Sequence, residues 1–325
     1  MGGLDWLVVA AYATAMLGVG LYYSRQNQTS DDYLLGGRRM SPIIVGLSLF
    51  ATLVSTLTYL AGPGEIISNG PMYVTALAAH PITFCIVGFG LIPLLTRQPV
   101  TSAYEILETK LGPSLRTAGA LVFLLLRLGW MATILFATSK VVLVPLLGLD
   151  PSAIPWLCIG MGCLTAMYAS WGGIRAVVMT DAIQSVTMVA GAVLTLLVIT
   201  ARMGGVENWW PTSWPSHWQD PSWGFDPTKR ISFGILVLST ATWYVCTNGS
   251  DQMSIQRFLS TRNPAAARKT LAVSLCTDAM VSILLALTGV ALLGFYAANT
   301  SLVPGGQPPF KVGDQLFPRF IMHEM

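Results

Sequence analysis

The sequence predicts an all-α polytopic membrane protein with about eight transmembrane helices. Hydrophobic residues make up 53% of the 325 residues and charged residues only 10%, which excludes an ordinary soluble domain. Runs of about 20 apolar residues are long enough to cross a bilayer as helices. The candidate spans are Leu4–Tyr23, Pro42–Ile67, Met72–Leu95, Ala118–Leu147, Ile154–Tyr168, Val177–Ala201, Ile231–Cys246 and Leu271–Ala297.

The first stretch is predicted to be a retained leading helix, because no small-residue cleavage site follows it. The second stretch is a poor lipid-facing helix, since it is rich in hydroxyl side chains and then carries Ala61-Gly-Pro-Gly64. Hydrocarbon tolerates an interrupted helix only where the chain lines a cavity or packs on protein. We therefore predict a break in this span and a binding site beside it. The hydroxyl residues are Ser48, Thr52, Ser55, Thr56 and Thr58.

The third, fourth and eighth stretches each contain an ionisable residue. His80, which precedes Pro81, is predicted to pack at a kink rather than to relay protons. Arg127 and Asp278 lie at similar depths from the inner ends of their spans, so they are predicted to form an ion pair, which lowers the cost of burying either charge. The functional alternative is that Arg127 meets an anionic solute or Asp278 a cationic one.

The seventh stretch repeats the pattern of the second. Ser239, Thr240 and Thr242 lead into Tyr244, Thr247 and the run Asn248-Gly-Ser250, and this pattern predicts a second interrupted helix. Paired interrupted helices are typical of inverted-repeat secondary transporters, whose solute and ion sites lie at the breaks. The alternative is that these hydroxyls bond back to carbonyls one turn earlier in an unbroken helix.

The loops predict an external amino terminus. The four loops on one side hold eleven of the 18 Lys and Arg residues, against five on the other side, and basic residues favour the cytoplasmic side. The outer loop 202–230 contains Trp209, Trp210, Trp214, Trp218 and Trp223, which predict an interfacial belt or a lid over an external vestibule. The last residues, 298–325, are predicted to be an outer loop, and their abrupt end leads us to expect a truncated chain.

Several motifs resemble those of the sodium/solute symporter family. The run Tyr168-Ala-Ser-Trp-Gly-Gly-Ile-Arg-Ala-Val-Val-Met-Thr-Asp-Ala-Ile-Gln184 resembles the family signature around the fourth and fifth core helices. Further matches are Tyr33-Leu-Leu-Gly-Gly-Arg38, Gly46-Leu-Ser-Leu-Phe-Ala51, Thr101-Ser-Ala-Tyr-Glu105 and Ile255-Gln-Arg-Phe-Leu259. The second span and the Thr-Ser-Ala-Tyr-Glu run look most similar to the branch that carries monocarboxylates, iodide and vitamins.

The resemblance implies a leucine-transporter-like inverted-repeat fold in a single transmembrane domain, 1–325. It implies a leading helix at 4–23, a first five-helix repeat at 42–201, and the first two helices of a second repeat at 231–297. The remaining core helices would be missing, so the fold would be truncated.

The resemblance also implies functional residues. Sodium, as the coupling ion, would bind the backbone carbonyls of Ala51 and Val54, and Asp181 would lie on the sodium exit route. The alternative for Asp181 is a carboxylate beside Thr180 at a helix amino terminus, where the helix dipole favours it. The solute would be captured by Ser55, Thr56, Thr58, Trp243, Tyr244, Thr247 and Asp278. Sugar-carrying relatives have polar groups where this chain has Leu53, Leu57 and Thr58, and this departure argues against a sugar.

The predicted function is sodium-coupled symport of a small organic solute or anion across a plasma membrane, and the predicted location is a bacterial inner membrane. The alternative is a membrane sensor built on the same fold, which a cytoplasmic signalling domain after the spans would reveal. The sequence shows no acid–base cluster at catalytic spacing, so no enzyme is predicted. The five cysteines lack metal-ligand spacing, and neither an organic cofactor nor a nucleic-acid partner is implied.

Overall fold

A computed structural model describes residues 3–97 and 100–325, apart from the side chains of residues 3–5, Thr56 and Leu146. Helices account for all of the regular structure in these residues. The α-helices are α1 Gly3–Ser24, α2 Ser30–Leu35, α3 Pro42–Leu53, α4 Thr56–Asn69, α5 Ala79–Cys85, α6 Ile92–Thr96, α7 Ala103–Leu111, α8 Pro113–Thr138, α9 Val144–Leu147, α10 Ile154–Met203, α11 Phe233–Ser250, α12 Gln252–Leu259, α13 Pro264–Ala298 and α14 Gly313–Glu324.

Each apolar stretch predicted from the sequence is helical, which confirms the all-α class. Among the described residues, five helical runs are long and apolar enough to cross a membrane, and a sixth is added if α3 and α4 form one broken span. The five are Trp6–Ser24, Pro71–Thr96, Pro113–Leu143, Pro151–Met203 and Pro264–Ala298. The number of eight spans stays a prediction, because α10 contains two of the predicted stretches and α11 is not among the five.

The second stretch is interrupted, as predicted, but not at its Gly-Pro-Gly run. Helix α3 ends at Leu53 and α4 begins at Thr56. Ser55 caps α4, because its side-chain oxygen accepts a hydrogen bond from the backbone N–H of Thr58 at 3.1 Å. The run Ala61-Gly-Pro-Gly64 lies inside α4, several residues after the break.

The glycines of that run allow helices to approach closely. A Cβ atom on Gly64 would lie 2.8 Å from the backbone N of Asp314, and one on Gly313 would lie 2.8 Å from the carbonyl O of Gly64. Helix α14 therefore packs backbone to backbone on α4. The prediction of a plain loop at 298–325 is wrong in this respect, because that segment contains 3₁₀ turns and the twelve-residue helix α14.

The predicted interruption of the seventh stretch is wrong. Helix α11 runs without a break to Ser250, and the chain turns only at Asp251, which caps α12. The hydroxyls of Ser239, Thr242 and Ser250 donate to carbonyls of the preceding turn at 2.7–3.0 Å. The alternative reading of these hydroxyls, as groups satisfied within their own helix, is therefore the correct one for these three residues.

Helix α10 is bent at Gly173, which separates two predicted spans. Its φ of 60° and ψ of −160° lie in a region that only glycine adopts readily. Two carbonyls before the bend accept hydrogen bonds from residues that follow α1. Asn27 Nδ2, in the connection between α1 and α2, donates to Gly172 O at 3.0 Å, and Tyr33 Oη, in α2, donates to Ser170 O at 2.9 Å. These side-chain hydrogen bonds therefore satisfy the two carbonyl groups at the bend.

An ion pair lies just after this bend. Arg175 Nη2 donates to Asp32 Oδ1 at 2.8 Å and to the carbonyl O of Gly36 at 3.0 Å. The pKa of Asp32 is lowered, first by the hydrogen bond from the Thr29 hydroxyl and also by the charge of Arg175. The signature Gly-Gly-Ile-Arg175 thus connects α10 to the segment around α2.

Contacts divide the described residues into two compact units. The first unit lies within 1–53, 84–185 and 244–274, and the second within 54–83, 186–243 and 275–325. The core of the first unit includes the cluster Leu35, Val100, Ile255 and Leu259 and the cluster Val45, Ile174 and Val178. In the second unit, the buried rings of Phe295 and Phe320 meet edge to face with centroids 5.2 Å apart.

Candidate functional site

The break between α3 and α4 frees backbone carbonyls. The last four carbonyls of an α-helix have no partner within the helix, and Ala51 lies in the last turn of α3. Val54 lies in the break itself, and the N–H of Thr58, which would continue the helical ladder to Val54, is bonded to the Ser55 hydroxyl instead. The role of Ala51 and Val54 as ion ligands stays a prediction, but both belong to a stretch that exposes carbonyl dipoles.

Of the predicted solute residues, Ser55 and Thr58 lie together. Their hydroxyl oxygens are 3.0 Å apart at the amino end of α4. The side chain of Thr56 is outside the described part of the structure. Because a helix amino terminus carries partial positive charge and unpaired N–H groups, this end of α4 favours an anionic ligand.

The other predicted solute residues lie on α11 and α13. Trp243 is 49% exposed, whereas Tyr244 is buried, and Thr247 follows one turn later on α11. Next to Thr247, the buried side chain of Asn248 donates from Nδ2 to the carbonyl of Tyr244 at 2.8 Å, while its Oδ1 has no hydrogen-bond partner among the described residues. A buried acceptor without a hydrogen-bond partner is a candidate to bind a hydrogen-bond donor or a cation.

Asp181 belongs to a three-residue cluster in the first unit, which we call the Asp181 cluster. It consists of Ser48 on α3, Asp181 on α10 and Arg257 on α12. Ser48 Oγ donates to Asp181 Oδ2 at 2.6 Å, Arg257 Nη2 donates to the same oxygen at 2.7 Å, and Arg257 Nε donates to Ser48 Oγ at 2.8 Å. Each member therefore contacts both of the others.

The cluster is almost entirely removed from solvent. Ser48 is fully buried, the Arg257 side chain is 2% exposed and that of Asp181 is 16% exposed. Removing one partner of such a buried charge pair lowers the free energy of unfolding of the protein by about 3–5 kcal/mol, because the other charge is left without compensation. Ser185, one turn after Asp181, donates to the carbonyl of Leu47 at 2.8 Å and so ties α10 to α3 beside the cluster.

The predicted pair between Arg127 and Asp278 is not the arrangement found, because each residue has a different partner. Arg127 pairs with Asp251 in the first unit. Asp278 pairs with His80 in the second unit, with His80 Nε2 and Asp278 Oδ2 2.9 Å apart. His80 is therefore more than the packing residue predicted from its position before Pro81.

Helix α12 is held at several points within the first unit. Asp251 caps its amino end, accepting from the N–H of Met253 at 2.9 Å, and binds Arg127 of α8 with its other oxygen. The side-chain oxygen of Gln252 accepts from the N–H of Ala103 at 2.9 Å, at the start of α7. Arg257, near the carboxyl end of α12, joins the Asp181 cluster. One short helix thus links α3, α7, α8 and α10.

We expect substitutions of Asp251 to separate its two roles, the cap of α12 and the ion pair with Arg127. Asp251→Asn keeps a good helix cap but loses the charge that pairs with Arg127, whereas Asp251→Ala loses both. Asp251→Ala should therefore lower the free energy of unfolding by about 1 kcal/mol more than Asp251→Asn. Thermal unfolding of the two purified variants would measure this difference, and equal melting temperatures would contradict the capping role.

The tryptophan-rich loop packs on the carboxyl half of α4 in the second unit. Trp218 is buried and its Nε1 donates to the carbonyl of Ile67 at 3.3 Å, while Trp223 is 68% exposed. Arg230 binds Glu65 of α4 through two hydrogen bonds of 2.6 and 2.7 Å, which raise the pKa of Arg230. The loop therefore combines exposed aromatic residues with anchored ones, and its role as an interfacial belt or a lid stays a prediction.

The family resemblance singled out Asp181 but not its partners in the Asp181 cluster. Ser48 was only one of several hydroxyls in the second stretch, and Arg257 was only part of the motif Ile255-Gln-Arg-Phe-Leu259. The position of Arg257, a basic residue between apolar residues of a helical motif, could have indicated that it has a buried acidic partner. Its acidic partner lies 76 residues earlier in the chain, and no local pattern connects the two.

Comparisons with a family model and with individual proteins both match this chain to sodium-coupled transporters. The family model described as the sodium:solute symporter family matches residues 33–322. The sodium/sialic acid symporter SiaT of Proteus mirabilis is 30% identical across the whole of this chain, which covers 64% of that protein. The sodium-coupled monocarboxylate transporter 2 of Danio rerio is 30% identical over 98% of this chain and 51% of its own length.

A solved structure has the same fold. It is described as the substrate-bound outward-open state of a Na⁺-coupled sialic acid symporter with a novel Na⁺ site. It superposes on all of this chain with a TM-score of 0.84 and 28% sequence identity, and the match covers 66% of that chain. The chain thus spans between half and two thirds of the length of these relatives.

Proposed function

The chain belongs to the sodium:solute symporter family, and from this premise we propose that its protein carries a small organic solute across a membrane together with sodium. The observation that carries the proposal is the match of the family model to residues 33–322, combined with a TM-score of 0.84 to a Na⁺-coupled symporter. The relatives are transporters rather than enzymes. The leucine-transporter-like helical fold agrees with the apolar spans of this chain.

Sodium is proposed to bind at the break after α3. The carbonyls of Ala51 and Val54 lie in the stretch where the helical ladder ends. Sodium is a hard cation that neutral carbonyl and hydroxyl dipoles can coordinate in place of its hydration shell. Such a site requires no carboxylate, and incomplete coordination would let the ion leave again.

Asp181 is proposed to receive sodium on its way out of the protein. Its support is the position of a carboxylate and a hydroxyl, Asp181 and Ser48, 2.6 Å apart in the buried part of the first unit. Ser48 lies on the same helix as Ala51, one turn before it. A cation released from the carbonyls would therefore find oxygen ligands further along α3.

The solute is proposed to be a small organic carboxylate. Sialic acid and monocarboxylates, which the relatives' names specify, share a carboxylate group. In this chain, the amino end of α4 at Ser55 and Thr58 suits an anion. Thr56, Trp243, Tyr244 and Thr247 complete the proposed set of contacts to this solute. Asp278, the remaining predicted contact, would meet a hydrogen-bond donor of the solute away from its carboxylate, because two carboxylates repel each other.

Coupling would arise because sodium and solute each favour the same conformation of the protein. Reciprocal coupling of this kind requires only that both ligands bind one state better than the other. The second, third, seventh and eighth predicted spans would rock against the other helices in alternating access. We place the amino terminus outside a plasma membrane, as the basic loops indicate, and a bacterial inner membrane is the proposed location.

Uptake into proteoliposomes that contain the complete gene product would test this function. We expect an inward sodium gradient, compared with a choline gradient of equal ionic strength, to accelerate uptake of a sialic acid or of a short monocarboxylate. The carboxamide of the same acid is the matched control, because it keeps the shape and loses the negative charge. Uptake that is equal in sodium and choline would contradict symport, and equal uptake of acid and amide would contradict carboxylate recognition.

A further inference from the structure

We propose that Arg257 is an internal cation that exchanges with sodium at Asp181. The inference rests on the proposed symport function and deepens it. It assigns Arg257 a positioning role: the guanidinium holds the oxygens that sodium needs, withdraws when sodium arrives, and returns when sodium leaves. The residue would thus help to expel the ion.

The hydrogen bonds of Arg257 occupy the oxygens in question. Nη2 lies 2.7 Å from Asp181 Oδ2, and Nε lies 2.8 Å from Ser48 Oγ. A sodium ion bound here would compete with the guanidinium for these two oxygen atoms. The Ser48 hydroxyl already donates to Asp181 and accepts from Arg257, so sodium binding would have to rearrange these hydrogen bonds.

The guanidinium of Arg257 competes with sodium through its positive charge as well as through its hydrogen bonds. Two cations at one largely buried carboxylate would repel each other at short range in a medium of low dielectric constant. Sodium and the guanidinium are therefore alternatives at Asp181, and each compensates the carboxylate charge when the other is absent.

The guanidinium is pre-positioned by its own helix. Its third nitrogen, Nη1, donates to the carbonyl of Met253 at 2.9 Å, one turn earlier in α12. All three nitrogens of Arg257 thus have partners, and the side chain is 2% exposed. Withdrawal requires either a new side-chain rotamer or a displacement of α12, which is anchored at its other end by Asp251 and Arg127. Sodium arrival is thereby linked to the position of α12.

A plain structural ion pair makes a different prediction from an exchanging cation. If Arg257 only stabilises the fold, its removal lowers stability and leaves sodium affinity unchanged. If Arg257 competes with sodium, its removal raises sodium affinity, because the carboxylate then has only sodium to compensate it. The sodium dependence of stability separates the two possibilities, since a ligand that binds the native state raises the free energy of unfolding by an amount set by the ratio of its concentration to its dissociation constant.

The experiment measures thermal unfolding of the purified complete gene product against sodium concentration, with choline keeping the ionic strength constant. For Arg257→Gln we expect the sodium concentration that gives a fixed rise in melting temperature (the sodium midpoint) to fall about tenfold, since a hydrogen bond to a charged group contributes more than the roughly 1.4 kcal/mol that tenfold requires. Arg257→Lys, which keeps the charge but loses the forked geometry, should give a smaller decrease. Arg175→Gln, which breaks another Arg–Asp pair of the first unit, should lower the melting temperature and leave the sodium midpoint unchanged.

Sodium-driven uptake gives a second measurement. Tighter sodium binding in Arg257→Gln should slow ion release and lower the maximal rate, while the sodium concentration for half-maximal uptake falls. An unchanged or higher sodium midpoint in the Arg257 variants, beside a normal response of the unaltered protein, would overturn the exchange alone. If Arg257→Gln does not fold, Arg257→Lys decides by the same criterion. Absence of any sodium response in the unaltered protein, in stability and in uptake, would overturn the symport proposal as well.

Discussion

Asp181→Asn should abolish sodium-dependent uptake and destabilise the protein. The substitution removes the negative charge that Arg257 pairs with at 2.7 Å, and it leaves a guanidinium that is 2% exposed without compensation. Breaking a buried pair costs about 3–5 kcal/mol, and the lower end applies here because the amide oxygen still accepts hydrogen bonds. Uptake is lost for a separate reason, since a neutral amide is a much weaker ligand for a sodium ion than a carboxylate.

A double substitution separates the two effects. Asp181→Asn combined with Arg257→Gln removes both charges, so much of the lost stability should return while uptake stays absent. Asp150→Asn is the matched control, because Asp150 is exposed and caps a turn by accepting from the N–H of Ser152, which asparagine also does. Thermal unfolding measures the loss and return of stability in these variants, and sodium-driven uptake measures the loss of transport. Normal uptake in Asp181→Asn would refute the role of Asp181 in the ion pathway.

Gly173→Ala should destabilise the first unit by about 3 kcal/mol or more. Its backbone, with φ of 60° and ψ of −160°, lies where a residue with a Cβ atom carries about 1–3 kcal/mol of strain. A Cβ atom there would also lie 2.6 Å from the carbonyl O and 2.8 Å from a ring carbon of Tyr33, a residue whose hydroxyl is bonded to α10. The clash falls on the backbone of Tyr33, so relief requires α2 to move.

Gly148→Ala is the control for this prediction. Gly148 also has a positive φ, 63°, but a Cβ atom on it would meet nothing within 4 Å. Gly148→Ala should therefore lower the free energy of unfolding by only about 1–2 kcal/mol, which is the cost of a left-handed backbone for a residue with a Cβ atom. Melting temperatures and folding yields of the two variants in detergent give the comparison. Equal losses would show that the contact with Tyr33 contributes nothing at Gly173.

The helices were predictable because burial in a membrane requires long apolar segments whose backbone groups bond internally. All of the eight predicted stretches are helical, and the break in the second stretch follows from its polar residues. The place of the break was not predictable from glycine and proline. Gly64 serves the close packing of α14 on α4, whereas the cap at Ser55 sets where α4 begins.

Ion-pair partners were the part that the sequence could not determine. Depth along a helix made Arg127 and Asp278 look like partners, but the structure pairs Arg127 with Asp251 and Asp278 with His80. Depth fixes one coordinate, while pairing also depends on the rotation of each helix about its axis and on which helices are neighbours. Both are results of tertiary packing.

The sequence by itself determined the class of the protein, its helical segments and its likeness to sodium/solute symporters. Only the tertiary structure brought Ser48 and Arg257 to Asp181 and ended α11 beside the cap of α12. The physical reason is the range of the forces involved. Hydropathy and helix caps act within a few residues and can be read along the chain, whereas a buried charge is compensated by whichever opposite charge the packed helices bring within hydrogen-bonding distance.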